Sequence, residues 1–581
     1  MRTLSAETPA ATGQSVTVQG WVQSRRDHGG LIFIDLRDHT GLVQLVIHPE
    51  QAEAFGIAED VRDEYVISST GVVRPRDEHL KNPNIVSGDI EVVVETIRVL
   101  NQAEVLPIQP FSEQQANEEL RLKYRYIDLR RPAMQNMLRM RAEMYRRMHS
   151  YMDERDFVEV TTPVLANSSP EGARDFLIPS RIHPGSYYAL PQAPQQFKQL
   201  LMVGGVPRYY QLAACFRDED PRADRLYGEF YQLDMEMSFV EDGEEVRTLM
   251  EPLIKSLVTD FANKTLLTDD VPRIAYSDAM ERYGSDKPDL RYGMELTDLT
   301  EDLRSTEFSV FAKAECVKAI CVKDGASLSR SKIDSFTEIA KSEGAGGMAY
   351  LVYKDGEVQS PIAKFLSEQE LKTITQKLNA KDGDMVVFGA DKRHVVNKVL
   401  GKLRIAFADH FELKDPNLIS LAWVVDFPLY ETDEKTGKID FGHNPFTMPK
   451  GGIDVLDAED KTQILADQYD MVMNGYEICS GGVRNHRPEV MYKVFANLGF
   501  DQAYVDEHFG AMISAFKFGA PPHAGCAFGI DRMLMELTGQ SNIREVVAFP
   551  KNGSGVDVMS NSPLPVEAAQ LKELHIAPAK Q

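Results

Sequence analysis

The sequence predicts a multidomain α+β protein in which a small antiparallel barrel precedes a larger domain built on an antiparallel sheet, itself interrupted by an inserted α/β domain. Three observations predict this. The 581 residues exceed what one hydrophobic core can serve, because cores stop growing near ~250 to 300 residues. Residues 16–105 carry short alternating or apolar runs between turn signals, and residues 230–239 alternate apolar with polar. From about 290 to 415 the sequence turns lysine-rich and aromatic-poor, before strand-rich sequence resumes at Leu418.

Composition narrows the class. With 43% hydrophobic and 26% charged residues the chain is an ordinary globular one, and a net charge of -24 argues against a non-specific nucleic-acid coat. The five cysteines (215, 316, 321, 479 and 526) form no C-x-x-C pair and no zinc spacing, which predicts reduced thiols and a cytosolic setting. Residues 1–10 lack the apolar core of a signal peptide, and no run reaches the ~18 apolar residues of a membrane span, so no membrane is expected to be crossed or entered.

In the first segment, V-T-V-Q-G-W-V, L-I-F-I-D-L, L-V-Q-L-V-I and D-I-E-V-V-V are separated by turn signals such as Asp27-His28-Gly29-Gly30. A barrel that presents Phe33 or Trp21 beside Arg25 and Arg26 can stack and screen a single-stranded nucleic acid, although core aromatics with solvated arginines would give the same pattern. Residues 121–147 hold nine Lys/Arg against Asp128 and Glu143, a local charge of +7 in an acidic chain. Pro132 suits a first helical turn, and Met134, Met137, Met144, Met148 and Met152 follow at helical spacing, predicting an amphipathic helix whose other face is basic. That face is either solvated or lies along a phosphate backbone or a dimer seam.

After the helix, Phe157 to Thr162 reads as a strand stopped by Pro163, Gln192 to Val203 as a helix and Arg208 to Arg217 as a strand. In 230–239, Tyr231, Leu233, Met235 and Met237 face one way while Gln232, Asp234, Glu236 and Ser238 face the other, giving the sheet a polar working face. Gly344, Gly346 and Gly347 suit a turn, since neither a phosphate-loop nor a dinucleotide motif occurs anywhere. Three constellations carry chemistry. Cys215-Phe-Arg-Asp-Glu-Asp220 puts Arg217 at a strand end, where a guanidinium can grip phosphate. His523 to Arg532 runs through small residues into a helix whose first turn carries Arg532, a cation opposed to the helix dipole and so suited to an anion. Asn474 to Arg487 sets Glu477, a ligand for a hard cation, and Arg484, a ligand for a carboxylate, on either side of a Ser-Gly-Gly turn.

Together the proline-ended strand after a long helix, F-R-D-E-D and G-I-D-R resemble motifs 1, 2 and 3 of the class II aminoacyl-tRNA synthetases. Glu171-Gly-Ala-Arg-Asp, Ala189-Leu-Pro-Gln-Ala-Pro-Gln195-Gln-Phe-Lys198, Arg217-Asp-Glu-Asp-Pro-Arg-Ala-Asp-Arg and Pro521-Pro-His-Ala-Gly-Cys-Ala-Phe-Gly-Ile-Asp-Arg532 narrow the resemblance to the bacterial-type aspartyl-tRNA synthetases, over nearly the whole chain. The resemblance implies an N-terminal OB-fold β-barrel that binds the anticodon (1–105), a hinge (106–131), a class II catalytic domain in two parts (132–289 and 416–555), an inserted GAD-type domain (290–415) and a C-terminal tail (556–581).

It also implies roles. Glu171, Gln195 and Asp234 would meet the amino group of L-aspartate, Lys198 and Arg484 would clamp its side-chain carboxylate, and His443 would lie beside it. Asparagine would be rejected because the clamp's buried charge would go unpaired. ATP would be held by Arg217, Asp218, Glu219, Gly529, Ile530, Asp531 and Arg532, with Glu477 holding Mg2+ on the phosphates; Arg217, Glu477 and Arg532 would carry catalysis. The loop Arg225 to Phe230 is slightly longer than the best-known pattern, and Asn444 stands where many relatives have a second histidine, so no role is carried onto either. In the barrel, Arg26, Phe33 and Gln44 would read the anticodon, and the turn at His28 resembles that of enzymes charging both tRNA-Asp and tRNA-Asn. The family implies a cytoplasmic homodimer. The rival readings are an asparaginyl- or lysyl-tRNA synthetase and a catalytically silent paralogue that binds nucleic acid through its barrel.

Overall fold

A computed structural model describes residues 1–168, 173–433 and 436–577, in two compact units, 1–116 and 117–581. The first unit is a closed five-stranded barrel of β1 (Ser15–His28), β2 (Leu31–Asp38), β3 (Gly41–Ile47), β4 (Val66–Pro75) and β5 (Ile90–Asn101) in the order β1-β2-β3-β5-β4, with helix α1 (Ala52–Asp60) packed on β5. Its alternation is strict: Ile32, Ile34 and Leu36 point into the barrel core with Val43 and Leu45, and their neighbours point out. The turn from β1 to β2 uses Gly29 and Gly30 at φ of 62° and 80°, the left-handed pair a two-residue hairpin requires.

In the second unit the larger sheet begins with helix α2 (Pro132–Asp153), strand β6 (Val158–Glu159), helix α3 (Gln195–Val203), strands β7 (Arg208–Arg217), β8 (Gly228–Ser238) and β9 (Arg273–Ala275), and helix α4 (Tyr276–Tyr283). An all-antiparallel five-stranded sheet follows, with β10 (Thr297–Asp298), β11 (Cys316–Val322), β12 (Ala349–Lys354), β13 (Glu357–Gln359) and β14 (Met385–Asp391) in the order β10-β11-β14-β12-β13. Helices α5 (Arg330–Ser342) and α7 (Arg393–His410) cover one face of it, and α6 (Glu368–Lys377) the other. Buried on both sides, β11 is apolar but for Lys318, whose buried ammonium is held by Glu281 and Asn397: Val317, Ala319 and Cys321 belong to one layer, and Cys316, Ile320 and Val322 to the other. Gly344, at φ 105°, follows the end of α5, so the glycine-rich stretch makes a turn.

The chain then returns to the first sheet with β15 (Leu421–Val425), β16 (Gln468–Met473), β17 (Tyr476–Val483), β18 (His523–Gly529) and helix α8 (Ile530–Thr538). The eight strands run β9-β15-β16-β17-β18-β8-β7-β6, with the three strands expected to carry function, β17, β18 and β8, adjacent at the centre. Beneath them Leu233, Met235, Phe528, Ile530 and Trp423 pack against the methionine face of α2, including Met144, Met148 and Met152. The expected strand 157–162 is reduced to two paired residues. All five cysteines are buried, and none forms a disulfide. Among the described residues no helix is long and apolar enough to cross a membrane.

The basic run 121–147 does not lie open as a track. Arg121 pairs with Glu545 at 2.7 Å, and Asp128 accepts from Arg125 and Arg131 at 2.6 Å each. Arg125 also donates to the carbonyls of Arg544, Val547 and Ala548, and Arg141 pairs with Asp531. These four arginines latch 121–141 onto α8 and the segment that follows it, while Lys123, Arg139, Arg146 and Arg147 remain exposed. Removing the buried Asp128 carboxylate strands two guanidiniums, so Asp128→Ala is expected to destabilise the protein by about 3 to 5 kcal/mol in urea unfolding. A loss below about 1 kcal/mol would place the latch at the level of a surface ion pair.

Candidate active site

A cavity of about 360 Å3 opens over the centre of the sheet, lined by residues of β7, β8, β17, β18 and the start of α8. Gln195, Lys198, Arg217, Glu219, Asp234, His443, Glu477, Arg484, Gly529, Asp531 and Arg532 all reach it. Ile530 is in the core below, and Asp218 faces an adjoining cavity with Arg174, Asp220 and Arg222. Glu171 lies outside the described residues.

At one end the polar face of β8 meets α3 and β17 in a chain of alternating charge. Lys198 Nζ lies 2.6 Å from Asp234 Oδ1 and 3.3 Å from Glu236, and Arg484 Nε donates to Glu236 at 3.0 Å. All four side chains are at most 5% exposed. Burial alone would lower the Lys198 pKa, but Asp234 and Glu236 outweigh it and the ammonium is favoured. The Glu236 carboxyl, which burial would raise, is pulled down by Arg484 and Lys198. Asp234, at the end of the chain, is raised by burial beyond what Lys198 returns. Its Oδ2 has no hydrogen-bond partner, and the adjacent Tyr209 hydroxyl is taken by Gln211 at 3.0 Å. Room for Glu236 comes from Gly525 opposite it in register, where a Cβ would lie 2.2 Å from the carboxylate and 2.1 Å from the Met235 carbonyl.

Gln195 is oriented from behind. The buried His523 donates from Nδ1 to the Pro521 carbonyl at 2.8 Å, so Nε2 accepts from Gln199 Nε2 at 3.0 Å, and Gln199 Oε1 accepts from Gln195 Nε2 at 3.0 Å. This polarity leaves Gln195 Oε1, an acceptor, for the cavity. His443 packs edge-on against Phe427, and burial lowers its pKa, so it is neutral. The Asn444 side chain is spent on Phe446 N and Thr447 Oγ1 at 3.0 Å each.

The other end is built for anions. Arg217 and Arg532 each have a buried Nε without a partner. The Arg217 guanidinium lies over the Phe230 ring, while Arg532 donates to the Glu477 carbonyl. The Asp531 carboxylate, at the cavity edge, is occupied by Arg141 and Tyr231 N, which fixes the start of α8 and leaves Arg532 facing the cavity. Glu219 pairs with Arg225. Buried Asp470 neighbours Glu477, and its carboxyl is raised well above the usual range by burial and by that second carboxylate. Two carboxylates beside arginines with open donors suit a hard cation that keeps waters and takes phosphate oxygens, as Mg2+ does. Among the described residues no group of three or more His, Cys, Asp or Glu could hold a metal on its own.

Sequence reasoning missed Glu236, Gln199, His523 and Asp470 as site residues. Glu236 was visible on the polar face of β8, whereas the approach of Asp470 to Glu477 exists only because β16 lies beside β17, with Asp470 opposite Ser480 and Val472 opposite Glu477.

Comparison with known proteins places the chain. It belongs to the class II tRNA synthetases (D, K and N), whose family model matches residues 117–553; the OB-fold nucleic acid binding domain matches residues 16–100. Curated relatives named Aspartate--tRNA(Asp/Asn) ligase include one from Chlorobium chlorochromatii, 50% identical over 97% of this chain and 93% of its own length. Another, from Rickettsia bellii, is 47% identical over 97% and 95%. The solved asparaginyl-tRNA synthetase of Pyrococcus horikoshii superposes with a TM-score of 0.58 at 18% identity, covering 95% of this chain and 98% of its own. The aspartyl tRNA synthetase of Entamoeba histolytica gives 0.58 at 21%, covering 95% and 92%. At these identities the structures speak for the fold alone.

The buried relay carries a pH signature. Burial pushes the His523 imidazole down to about 4, so it is neutral when folded and takes a proton on unfolding near ~6.5. Its contribution to stability is complete above that pH and is lost as pH falls towards 4, by about 3 kcal/mol over the whole window. The stability difference between wild type and His523→Asn, read from urea unfolding, is therefore expected to shrink between neutral pH and about 4.5. A gap independent of pH would mean that His523 is not buried neutral.

Proposed function

We propose that this enzyme activates L-aspartate with ATP and transfers the aspartyl group to tRNA-Asp and tRNA-Asn. The observation that carries the reading is the placement of unpartnered polar atoms in one cavity. Asp234 Oδ2 and Gln195 Oε1 ask for the donors of an α-ammonium, and Arg217 Nε and Arg532 Nε ask for phosphate oxygens. Between them Lys198 and Arg484 offer their remaining hydrogens to a carboxylate.

The chemistry then needs positioning and charge stabilisation rather than a protein nucleophile. The aspartate α-carboxylate attacks the α-phosphorus, the bond to pyrophosphate breaks with its electron pair leaving on oxygen, and Arg217 offsets the charge gathering on phosphorus. Mg2+, held by Glu477 with Asp470, would neutralise the phosphates. The terminal 3'-hydroxyl of tRNA then attacks the adenylate carbonyl and AMP leaves.

Glu236 changes the origin of selectivity. Because Glu236 and Asp234 together already balance the two cations, asparagine is refused less by unpaired charge than by its amide N–H groups, which would face the N–H donors of Lys198 and Arg484. Lysine would bring a third cation to the same place. Aspartate-dependent ATP–pyrophosphate exchange is therefore expected, with asparagine and lysine inactive, and Lys198→Met should lower kcat/KM for aspartate by about 10^3-fold, or ~4 kcal/mol. Exchange driven equally by asparagine would overturn the reading.

For tRNA, the outward face of the barrel sets Arg26 opposite Phe33 and Gln44 opposite Asp35, with half-buried Phe33 available for stacking. His28, exposed beside the glycine turn, and the Asp/Asn specificity in the relatives' names support relaxed tRNA choice. Purified enzyme should attach aspartate to tRNA-Asn transcripts as well as to tRNA-Asp; no charging of tRNA-Asn would restrict the function to tRNA-Asp. Exposed Val158, Val164 and Leu165 after α2 support a homodimer seam there, which light scattering of the pure protein tests, a monomer mass contradicting it. The function belongs in the cytoplasm, where translation takes place.

A further inference from the structure

The loop of residues 284–293 joins α4 to the inserted domain, and no part of the activation reaction described above uses it. It is held rigidly from the insert side. Arg404 of α7, 2% exposed, donates to the carbonyls of Asp289 at 2.8 Å, Tyr292 at 2.9 Å and Gly293 at 3.1 Å, and its guanidinium lies over the rings of Tyr283 and Tyr292. Gly284 and Gly401 touch backbone to backbone: a Cβ on Gly401 would lie 2.4 Å from the Gly284 oxygen. Within the loop, buried Asp289 accepts from Arg291 N and Nε at 3.0 Å each. On its far side the loop packs against Gly475, in the turn between β16 and β17.

From this frame Lys287 reaches the catalytic sheet. Its Nζ lies 2.6 Å from Asp286 and 3.4 Å from Glu477 Oε2, so a cation delivered by the loop faces the carboxylates of Asp470 and Glu477 at the anion end of the cavity. Glu477 is thereby flanked on both sides, its carboxylate by Lys287 and its carbonyl by Arg532. The ammonium has three donors, one held by Asp286 and one facing Glu477, and the side chain is 36% exposed.

We propose that Lys287 is a positioning residue for the β- and γ-phosphates of ATP, and that the inserted domain serves activation by holding its loop against the sheet. This rests on the ATP-dependent reading above. Before ATP binds, Lys287 offsets the Glu477 charge. With ATP in place its donors turn to the oxygens of the departing pyrophosphate, where negative charge gathers as the α-phosphorus bond breaks and the aspartate oxygen bond forms.

The test uses full-length Lys287→Met, Lys287→Arg and Arg404→Lys. Calorimetry measures binding of two probes in excess Mg2+, the α,β-methylene analogue of ATP and AMP, and pyrophosphate exchange gives KM for ATP and aspartate. Lys287→Met is expected to weaken the ATP analogue and raise KM for ATP by about 10-fold or more, while changing AMP affinity and KM for aspartate by less than about two-fold. Lys287→Arg should recover most of the loss, and Arg404→Lys should reproduce the same pattern at smaller size. Equal loss for AMP and the analogue, or wild-type values in Lys287→Met, would overturn the role of Lys287. Wild-type phosphate binding in a folded Arg404→Lys would overturn that of the insert. Failure of the wild-type enzyme to bind the analogue or to exchange pyrophosphate with aspartate would instead overturn the ATP-dependent reading itself.

Discussion

The buried chain Asp234–Lys198–Glu236–Arg484 is the constraint around which the catalytic unit is arranged. Removing four charges from water costs several kcal/mol per ion, and apolar residues of similar volume would stabilise the sheet as well or better. The network is therefore poorly explained as a stability device. Its alternation keeps each charge paired, and its geometry leaves open the atoms at the edge, Asp234 Oδ2 and the spare donors of the two cations. Neighbouring features follow from it: Gly525 must lack a side chain so that Glu236 fits, and Gly481 must lack one because a Cβ would strike the Gly525 carbonyl and the Tyr469 ring.

A second layer orients what the network cannot. The fixed direction of hydrogen bonds from His523 through Gln199 makes Gln195 an acceptor toward the cavity. Arg141 and Tyr231 N hold Asp531, so that the neighbouring Arg532 is the residue presented at the phosphate end. The recognition of an amino acid at one end and of phosphates at the other thus depends on residues that touch neither.

Much of this was legible in the sequence because it is periodic or local. The alternation in 230–239 announced a strand with a polar face, and the same polar face carries Asp234 and Glu236. Pro132 and the methionines announced α2 and its buried side. What stayed hidden was contact between residues distant in the chain. The basic run 121–147 suggested an open cationic track, yet whether an arginine is solvated depends on which carboxylates fold onto it, and Glu545 and Asp531 come from the other end of the chain. Glu236 as the shared counter-ion, and Asp470 beside Glu477, depend likewise on strand register. The roles of Lys198 and Arg484 came from resemblance; their common partner came from the fold.

The most direct test is a crystal structure of the enzyme with a non-hydrolysable analogue of aspartyl-adenylate. The account predicts the side-chain carboxylate within about 3 Å of Lys198 Nζ and the Arg484 guanidinium, and the ammonium on Asp234 Oδ2. A ligand whose carboxylate lies away from both cations, with the Asp234–Lys198–Glu236–Arg484 chain undisturbed, would contradict it.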